Sequence, residues 1–141
     1  MVAINFWNVM KAAKEQIENY PGCTGYNIEL EPPWLKDVTL CPWVGLYMTQ
    51  ALYERVSVGG NAPYECRLAI ELVIAEYSME LNDASIKREA AVKNVHDALA
   101  ADWTLSSNVL TSDIESVTFE VSAENGFLVT ARMALRCHLR V

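Results

Sequence analysis

The sequence predicts an α+β domain, in which a mainly antiparallel sheet carries two helices packed on one face. Two neighbouring stretches carry this prediction. Between residues 64 and 77 apolar and polar side chains alternate, and this period of two is typical of a strand with one buried face. Between Asp83 and Ala101 apolar residues recur at helical spacing and form one stripe. A strand with one apolar face followed by a helix with one apolar stripe favours a two-layer structure.

Length and charge set the outer limits of the interpretation. The chain has 141 residues, which suits a single α+β domain over residues 1–141. Its 18 acidic and 11 basic residues give a net charge of −7, so we expect weak or no binding to duplex DNA. No apolar run reaches the ~18 residues of a membrane span, and no secretory signal is recognised. We therefore expect no membrane partner and folding in a cytoplasm.

The first element predicted is a helix over residues 3–20. Asn5 or Asn8 is the candidate cap, and Pro21 and Gly22 end the helix. The residues predicted to form its apolar face are Ile4, Trp7, Val9, Met10, Ala13 and Ile17. Residues 21–36 show no clear period. Within them, Trp34 and Leu35 are predicted to pack against the core as a plug.

Two strands are predicted next, over residues 39–50 and 52–58. Glycine residues 59 and 60 then make a turn into the long strand. Two strands followed by two glycines suggest a β arm, at about residues 49–63, that projects from the body. Tyr53 and Arg55 lie on a face of this arm too mixed for a core, so we predict that they contact a neighbouring subunit.

The long strand and the second helix should provide most of the core. The strand residues predicted to face inward are Cys66, Leu68, Ile70, Leu72 and Ile74. The helix stripe consists of Ala84, Ala91, Val92, Val95, Ala98 and Leu99, with Asn82 and Asp83 as the cap. Ile86 and Ala90 lie roughly opposite this stripe, and we predict that a neighbouring chain covers them.

The chain closes with a hairpin, which completes the order α-β-β-β-α-β-β. A three-residue loop from Glu124 to Gly126 pairs Val121 with Val129 and Phe119 with Ala131, keeping both apolar rows inward. A two-residue loop would instead set Val121 against Thr130. The longer loop is therefore predicted, with Gly126 in the left-handed conformation.

The outward face of the last strand carries a basic row, Arg132, Arg136, His138 and Arg140. The same register places Glu120, Thr118, Ser116 and Ile114 across the hairpin from this face. Two interpretations stay open: a solvated face with cross-strand ion pairs, or a subunit interface at which the arginines meet Glu65 or Glu71 of a neighbour.

Motifs for chemistry are scarce. No phosphate-binding loop, nucleophile elbow or metalloprotease motif is present. His96 and His138 have no nucleophile placed beside them by the sequence, and Glu29 with Glu31 reads as a solvated pair. The four cysteines, Cys23, Cys41, Cys66 and Cys137, match no zinc spacing and are expected as unbridged thiols. We therefore predict no catalytic residue, metal or cofactor, and a protein that is not an enzyme.

The stretch that leaves the second helix is unusual. Trp103 directly follows the helix and either covers the end of the core or contacts a partner. The whole segment from Val95 to Val109 resembles the helix and exit loop of the tail terminator proteins of long-tailed bacteriophages, also called tail-completion or minor tail proteins. In that family the helix ends in Ala-Leu, followed by an acidic residue, Thr-Leu, small residues and an apolar residue. The matching positions are Ala98, Leu99, Asp102, Thr104, Leu105, Ser106, Ser107 and Val109. The family often has Gly where this chain has Ser106 and Ser107.

The resemblance covers the element order of nearly the whole chain, and it implies a structural virion protein. Such a protein forms a homo-oligomeric ring, most often a hexamer, at the head-proximal end of the tail. The ring stops polymerisation of the tail tube protein and joins the tail to the head-neck connector protein, and DNA passes through without specific binding. Assembly would take place in the host cytoplasm.

Two other functions stay open on the sequence alone. The nearer one is another neck or head-completion adaptor protein of similar size. The more distant one is a small cytoplasmic enzyme or ligand-binding domain, which requires a concave polar pocket and a perturbed titratable group.

Overall fold

A computed structural model describes residues 5–55 and 64–140, apart from the side chains at 64 and 140. The elements are α1 (Phe6–Glu18), β1 (Asn27–Leu30), β2 (Trp43–Arg55), β3 (Tyr64–Ser78), α2 (Leu81–Ala100), β4 (Thr111–Ser122) and β5 (Phe127–Arg140). The strands form one sheet in the order β1-β2-β3-β5-β4. Only β1 runs parallel to its neighbour, so the predicted α+β class with a mainly antiparallel sheet is confirmed.

The strands before β3 differ from the prediction. Residues 43–55 form one strand, β2, which has an irregularity between Met48 and Gln50, close to residue 51, where the prediction has a break between two strands. An extra residue in a strand shifts the alternation by one, which imitates the end of one strand and the start of another. The short strand β1 is missing from the prediction, because four residues are too few to show a period.

The predicted arm is described only in part. Residues 50–55 pair with residues 64–69 of β3, which in turn pair with the end of β5, so this part of the arm continues the sheet. Residues 56–63 lie outside the described residues. The projecting arm at about residues 49–63 therefore stays a prediction.

One core fills the space between the helices and the sheet. The five inward residues predicted for β3 are all buried, and the stripe of α2 is buried except for the half-buried Val92. From α1, Met10, Ala13 and Ile17 enter the same core. Trp7 was predicted on this face, but it is 45% exposed, because it lies to one side of the stripe that these three residues form.

A second, smaller core lies on the opposite face of the sheet. Trp43, Val73 and Ala75 are fully buried there, with Leu35 and other half-buried residues of the 35–41 segment packed against them. Leu35 is therefore a plug, as predicted, although on the outer face. Trp34 is 47% exposed and meets the ring of Trp43 edge-on at 6.0 Å, so it shields the plug from one side.

The hairpin register is confirmed. Val121 pairs with Val129 and Phe119 with Ala131, and Gly126 has a φ of 106°. A Cβ at Gly126 would collide with the hydroxyl of Tyr77, which donates a hydrogen bond to the carbonyl of residue 125. Glycine thus meets both the backbone and the space requirement of the turn.

Two local predictions in the second half of the chain are wrong. An irregularity between Ile114 and Ser116 shifts the hairpin register, so Arg136 lies opposite Asp113 rather than Ile114. Helix α2 begins at Leu81, after a cap residue, Glu80, that makes no side-chain hydrogen bond to the helix, so Asn82 is a helical residue and not the cap.

In α1 the cap is Asn5, one of the two alternatives predicted. Its side chain accepts a hydrogen bond from the amide of Asn8.

A buried carboxyl group should make stability depend on pH. Glu76 is 8% exposed on the helix side of β3, and desolvation raises its pKa although Lys87 opposes the shift. A raised pKa in the folded state stabilises the fold at low pH, and this contribution is lost as the pH rises through that pKa. We expect Glu76→Gln to unfold at a higher temperature than the parental chain at pH 7, with little difference at pH 4. Glu124→Gln, at an exposed turn residue, should change neither value.

Candidate interaction surfaces

The exit loop, residues 101–110, follows α2 and is organised by one carboxylate. Asp102 accepts hydrogen bonds from the amides of Thr104 and Ser106, both at 3.0 Å, and from the hydroxyl of Thr104 at 2.6 Å. These bonds favour the ionised form and lower the pKa of Asp102. Leu105 and Val109 are buried in the core, so the loop is anchored by apolar contacts as well.

A side chain from α1 fixes the end of α2 beside this loop. The amide nitrogen of Gln16 donates to the carbonyls of Ala98, Leu99 and Asp102 at 3.0, 2.9 and 2.9 Å. The last carbonyls of a helix have no partners within the helix, so a donor from another element satisfies them. No sequence pattern predicts this contact, because Gln16 and Ala98 are 82 residues apart.

The exit loop also contains three consecutive residues in the left-handed conformation. Leu105, Ser106 and Ser107 have φ values of 48°, 58° and 65°. A side chain is unfavourable there, since its Cβ crowds the backbone, and glycine avoids the crowding. Ser106 and Ser107 are the two positions at which the terminator family often has Gly.

Glycine at the second serine should stabilise the protein. The side chain of Ser107 makes no hydrogen bond among the described residues, so Ser107→Gly removes only the backbone strain. We expect unfolding in urea to show a gain of about 0.5–1 kcal/mol, after the larger entropy of glycine in the unfolded chain is deducted. Ser85→Gly, in the second turn of α2, is the matched control and should lose about 0.5 kcal/mol. A loss at both positions would contradict the left-handed geometry.

Trp103 lies at the start of the exit loop. It is half-buried against the core, its ring meets the ring of His96 edge-on at 6.1 Å, and its carbonyl accepts a hydrogen bond from Ser112. These contacts fit the covering role for the core. The remaining exposed part of the indole keeps the alternative, contact with a partner, as a prediction.

The two apolar residues predicted on the far side of α2 are exposed. Ile86 is 67% exposed, and Ala90, one turn later, is exposed too. On β2, Tyr53 is 60% exposed on the helix side of the sheet, and Arg55 on the same side is exposed. These four residues are accessible, as a contact with a neighbour requires, but they form no single patch.

The basic row is largely neutralised within the chain. Arg132 lies 3.3 Å from Glu71 and 3.8 Å from Glu120, and its guanidinium stacks over Trp34 at 5.6 Å. Arg136 pairs with Glu115. Glu71, proposed as an acidic partner on a neighbour, is thus an intrachain partner, since β3 and β5 are adjacent and their outward side chains meet. The Arg140 side chain lies outside the described atoms.

Among the described residues, no group of three His, Cys, Asp or Glu residues is arranged to hold a metal. Glu29 and Glu31 serve structure, accepting hydrogen bonds from the indole of Trp43 and the amide of Met48. All four cysteines are free thiols, and burial raises the pKa of Cys23 to about 11 and that of Cys137 to about 12. In the same described residues no helix is long and apolar enough to cross a membrane.

The structure adds two surfaces that the sequence did not predict. The first is the β4 edge, residues 117–122, where Phe119 and Val121 are 56% and 53% exposed although both point to the helix side. The second is the α1 groove, about 370 Å³ in volume, between α1 and β1, and its lining includes Trp7, Lys11 and Leu30. Strand order decides both, because β4 and β1 are the two edges of the sheet, and α2 packs mainly on β3 and β5.

Comparison of the chain with protein-family models and with curated protein sequences finds no match. The interpretation of these surfaces therefore depends on their geometry and on the resemblance of the exit loop.

Proposed function

We propose that this chain is a structural virion protein of the tail terminator kind, which forms a ring on the head-proximal end of a phage tail tube. The ring stops polymerisation of the tube protein, joins the tail to the head-neck connector and lets DNA pass. Other copies of the chain, the tube protein and the connector are its partners, and the protein performs no catalysis and uses no cofactor.

The exit loop is the observation that carries this proposal. The residues that carry the resemblance stabilise the loop. Leu105 and Val109 anchor it in the core, and Asp102 accepts hydrogen bonds from the loop amides. The two serines occupy left-handed positions, where the glycine of the family would also be favoured. The chain therefore departs from the family pattern only where both residue types serve the same backbone shape.

The charges support passage of DNA without binding. The net charge is −7, and Arg132 and Arg136 face carboxylates at hydrogen-bond or ion-pair distance. An arginine already paired with a carboxylate attracts phosphate less than a free one, and an acidic surface repels it. Such a protein can surround DNA without retaining it.

Removal of the gene from the phage or prophage that encodes this chain tests the proposal. Particles without a terminator should carry tail tubes of irregular, mostly excessive length, measured by electron microscopy. Tails of normal length that fail to join heads would instead indicate a neck or head-completion adaptor. Normal particles would contradict both structural functions.

A single exposed residue provides a finer test. Ile86→Asp places a charge on the far side of α2. Because Ile86 is exposed, the substitution should not affect the fold. We expect the variant to restore correctly terminated tails at least tenfold less efficiently than the parental gene. The matched control is Met79→Asp, at a residue that is 69% exposed but does not belong to the predicted interface. If both variants restore normal tails, the far side of α2 is ordinary solvent-exposed surface.

A further inference from the structure

We propose that the β4 edge of one copy adds as an antiparallel strand to β1 of the next copy and inserts Phe119 and Val121 into the α1 groove. The inference rests on the proposed ring and names the surfaces that join its subunits. It is carried by strand direction, by the level of the two edges, and by the side chains that each edge exposes.

The strand directions permit the contact. Strands β1 and β2 run one way, β3 the other, β5 the first way again and β4 the opposite way. The two edge strands of the sheet are therefore antiparallel. A rotation about an axis along the strands preserves every direction, so β4 of one copy meets β1 of the next with the polarity of an antiparallel ladder.

The two edges also lie at the same level of the sheet. Partners followed across the strands connect Ile28 with Phe119 through Val44, Ile74 and Ala131. The same count connects Leu30 with Val117 through Leu46, Leu72 and Met133. Addition of β4 beside β1 at this level aligns helix-side residues with helix-side residues and makes the sheet continuous from copy to copy.

The side chains on the two edges complement each other. Phe119 and Val121 are more than half exposed on the helix side, although the guanidinium of Arg88 on α2 lies 4.8 Å from the centre of the Phe119 ring. Beside β1, the lining of the α1 groove includes the exposed ring of Trp7 and the half-buried Leu30. In the joined sheet α1 of the next copy would cover the bare part of β4, and apolar surface would be buried on both sides.

Charge is compatible with the same arrangement, because each surface carries both signs. The lining of the α1 groove includes Lys11 and Glu15, which have no ion-pair partner among the described residues, and Arg88 and Glu89 of α2 lie beside Phe119. When β4 lies beside β1, these two helices face each other across the joint and can pair opposite charges. Pairing of β4 with β4 of a second copy would supply neither the lysine nor a helix to cover Phe119.

Sedimentation of the parental chain and of edge variants tests the proposal. We expect the parental chain to associate as its concentration rises, and Phe119→Asp and Trp7→Ala each to weaken association about tenfold or more. The double variant should be no weaker than the stronger single one, because both changes remove one contact. Val38→Asp is the control, at an exposed apolar residue that belongs neither to the β4 edge nor to the lining of the α1 groove, and should associate like the parental chain. Circular dichroism checks that every variant is folded.

A disulfide cross-link identifies the strands that meet. Leu30→Cys chains mixed with Val117→Cys chains should form a covalent heterodimer on oxidation, while Leu30→Cys with Thr118→Cys should not, since Thr118 points to the other face. Association without this cross-link, and unaffected by Phe119→Asp, would overturn the edge contact and leave the ring intact. A parental chain that stays monomeric up to its solubility limit would also overturn it, whereas the ring is judged by the length of the tails.

Discussion

Replacement of Trp43 by alanine should cause one of the largest losses of stability that a single substitution can produce in this protein. The indole is fully buried on the outer face of the sheet, packs with Val73 and Ala75, and donates a hydrogen bond to Glu29 at 2.9 Å. Truncation loses its apolar contacts, leaves a cavity and deprives the carboxylate of its donor. We expect a loss of about 3–5 kcal/mol in the free energy of unfolding, measured in urea.

Two further variants show whether the loss of stability comes from packing around Trp43 rather than from the loss of any tryptophan ring. Trp34→Ala removes a half-exposed ring of the same type and should cost no more than about 1 kcal/mol. A Cβ added at Gly45 would lie 2.8 Å from the Trp43 ring, so Gly45→Ala should destabilise the parental chain but cost less in the Trp43→Ala chain. Equal costs of Gly45→Ala in both chains would show that the indole does not fill the space above this glycine.

The sequence predicted the long regular elements well. Strand β3, helix α2 and the register of the last hairpin follow from periods of 2.0 or 3.6 residues, and the structure has all three. The alternation failed where the chain departs from regularity, at Met48–Gln50 and at Ile114–Ser116. One extra residue there moves later side chains to the other face, and no residue type marks the place.

The outer core shows a different limit. Val73 and Ala75 interrupt the polar face of β3, and this continuous apolar run from Leu72 to Ala75 is the signal of a strand buried on both faces. The prediction of only one buried face followed the alternation in the rest of the strand. A similar reason explains Phe119 and Val121, which are apolar and inward as predicted, yet exposed. Periodicity gives the face of a residue, but only the strand order shows that β4 is an edge of the sheet.

The candidate site, too, could be predicted from the sequence only in part. The residues of the exit loop are unusual in the sequence itself, and Asp102, Leu105 and Val109 stabilise the loop in the structure. Its left-handed turn was not predicted, because serine has no preference for that conformation. The arginine row was placed on the correct face, but its intrachain partners depend on which strands are neighbours, and that is a property of topology.

Loss of the Gln16 amide should loosen the exit loop and destabilise the whole fold. Gln16 donates to the carbonyls of Ala98 and Leu99 at the end of α2 and to that of Asp102 in the exit loop. The carbonyls of Leu99 and Asp102 also accept from backbone amides, so Gln16→Leu, which keeps the size of the side chain, removes the partner of Ala98 and one of the partners of the other two. We expect a loss of about 2–3 kcal/mol in the free energy of unfolding. Hydrogen exchange should become faster in residues 103–109, where the loop amides depend on the position of Asp102.

Charge and pH make this test specific to the hydrogen bonds. Gln16→Glu places a carboxylate against carbonyl oxygens and the negative end of the α2 dipole, so it should be less stable than Gln16→Leu at pH 7. At low pH the protonated carboxyl group again offers a donor, and the glutamate variant should then recover relative to the leucine variant. Gln50→Leu, at an exposed residue of β2, should change neither stability nor exchange. If Gln16→Leu leaves exchange in the exit loop unchanged, the loop is held by Leu105, Val109 and the hydrogen bonds to Asp102, and α1 does not control the segment on which the proposed function depends.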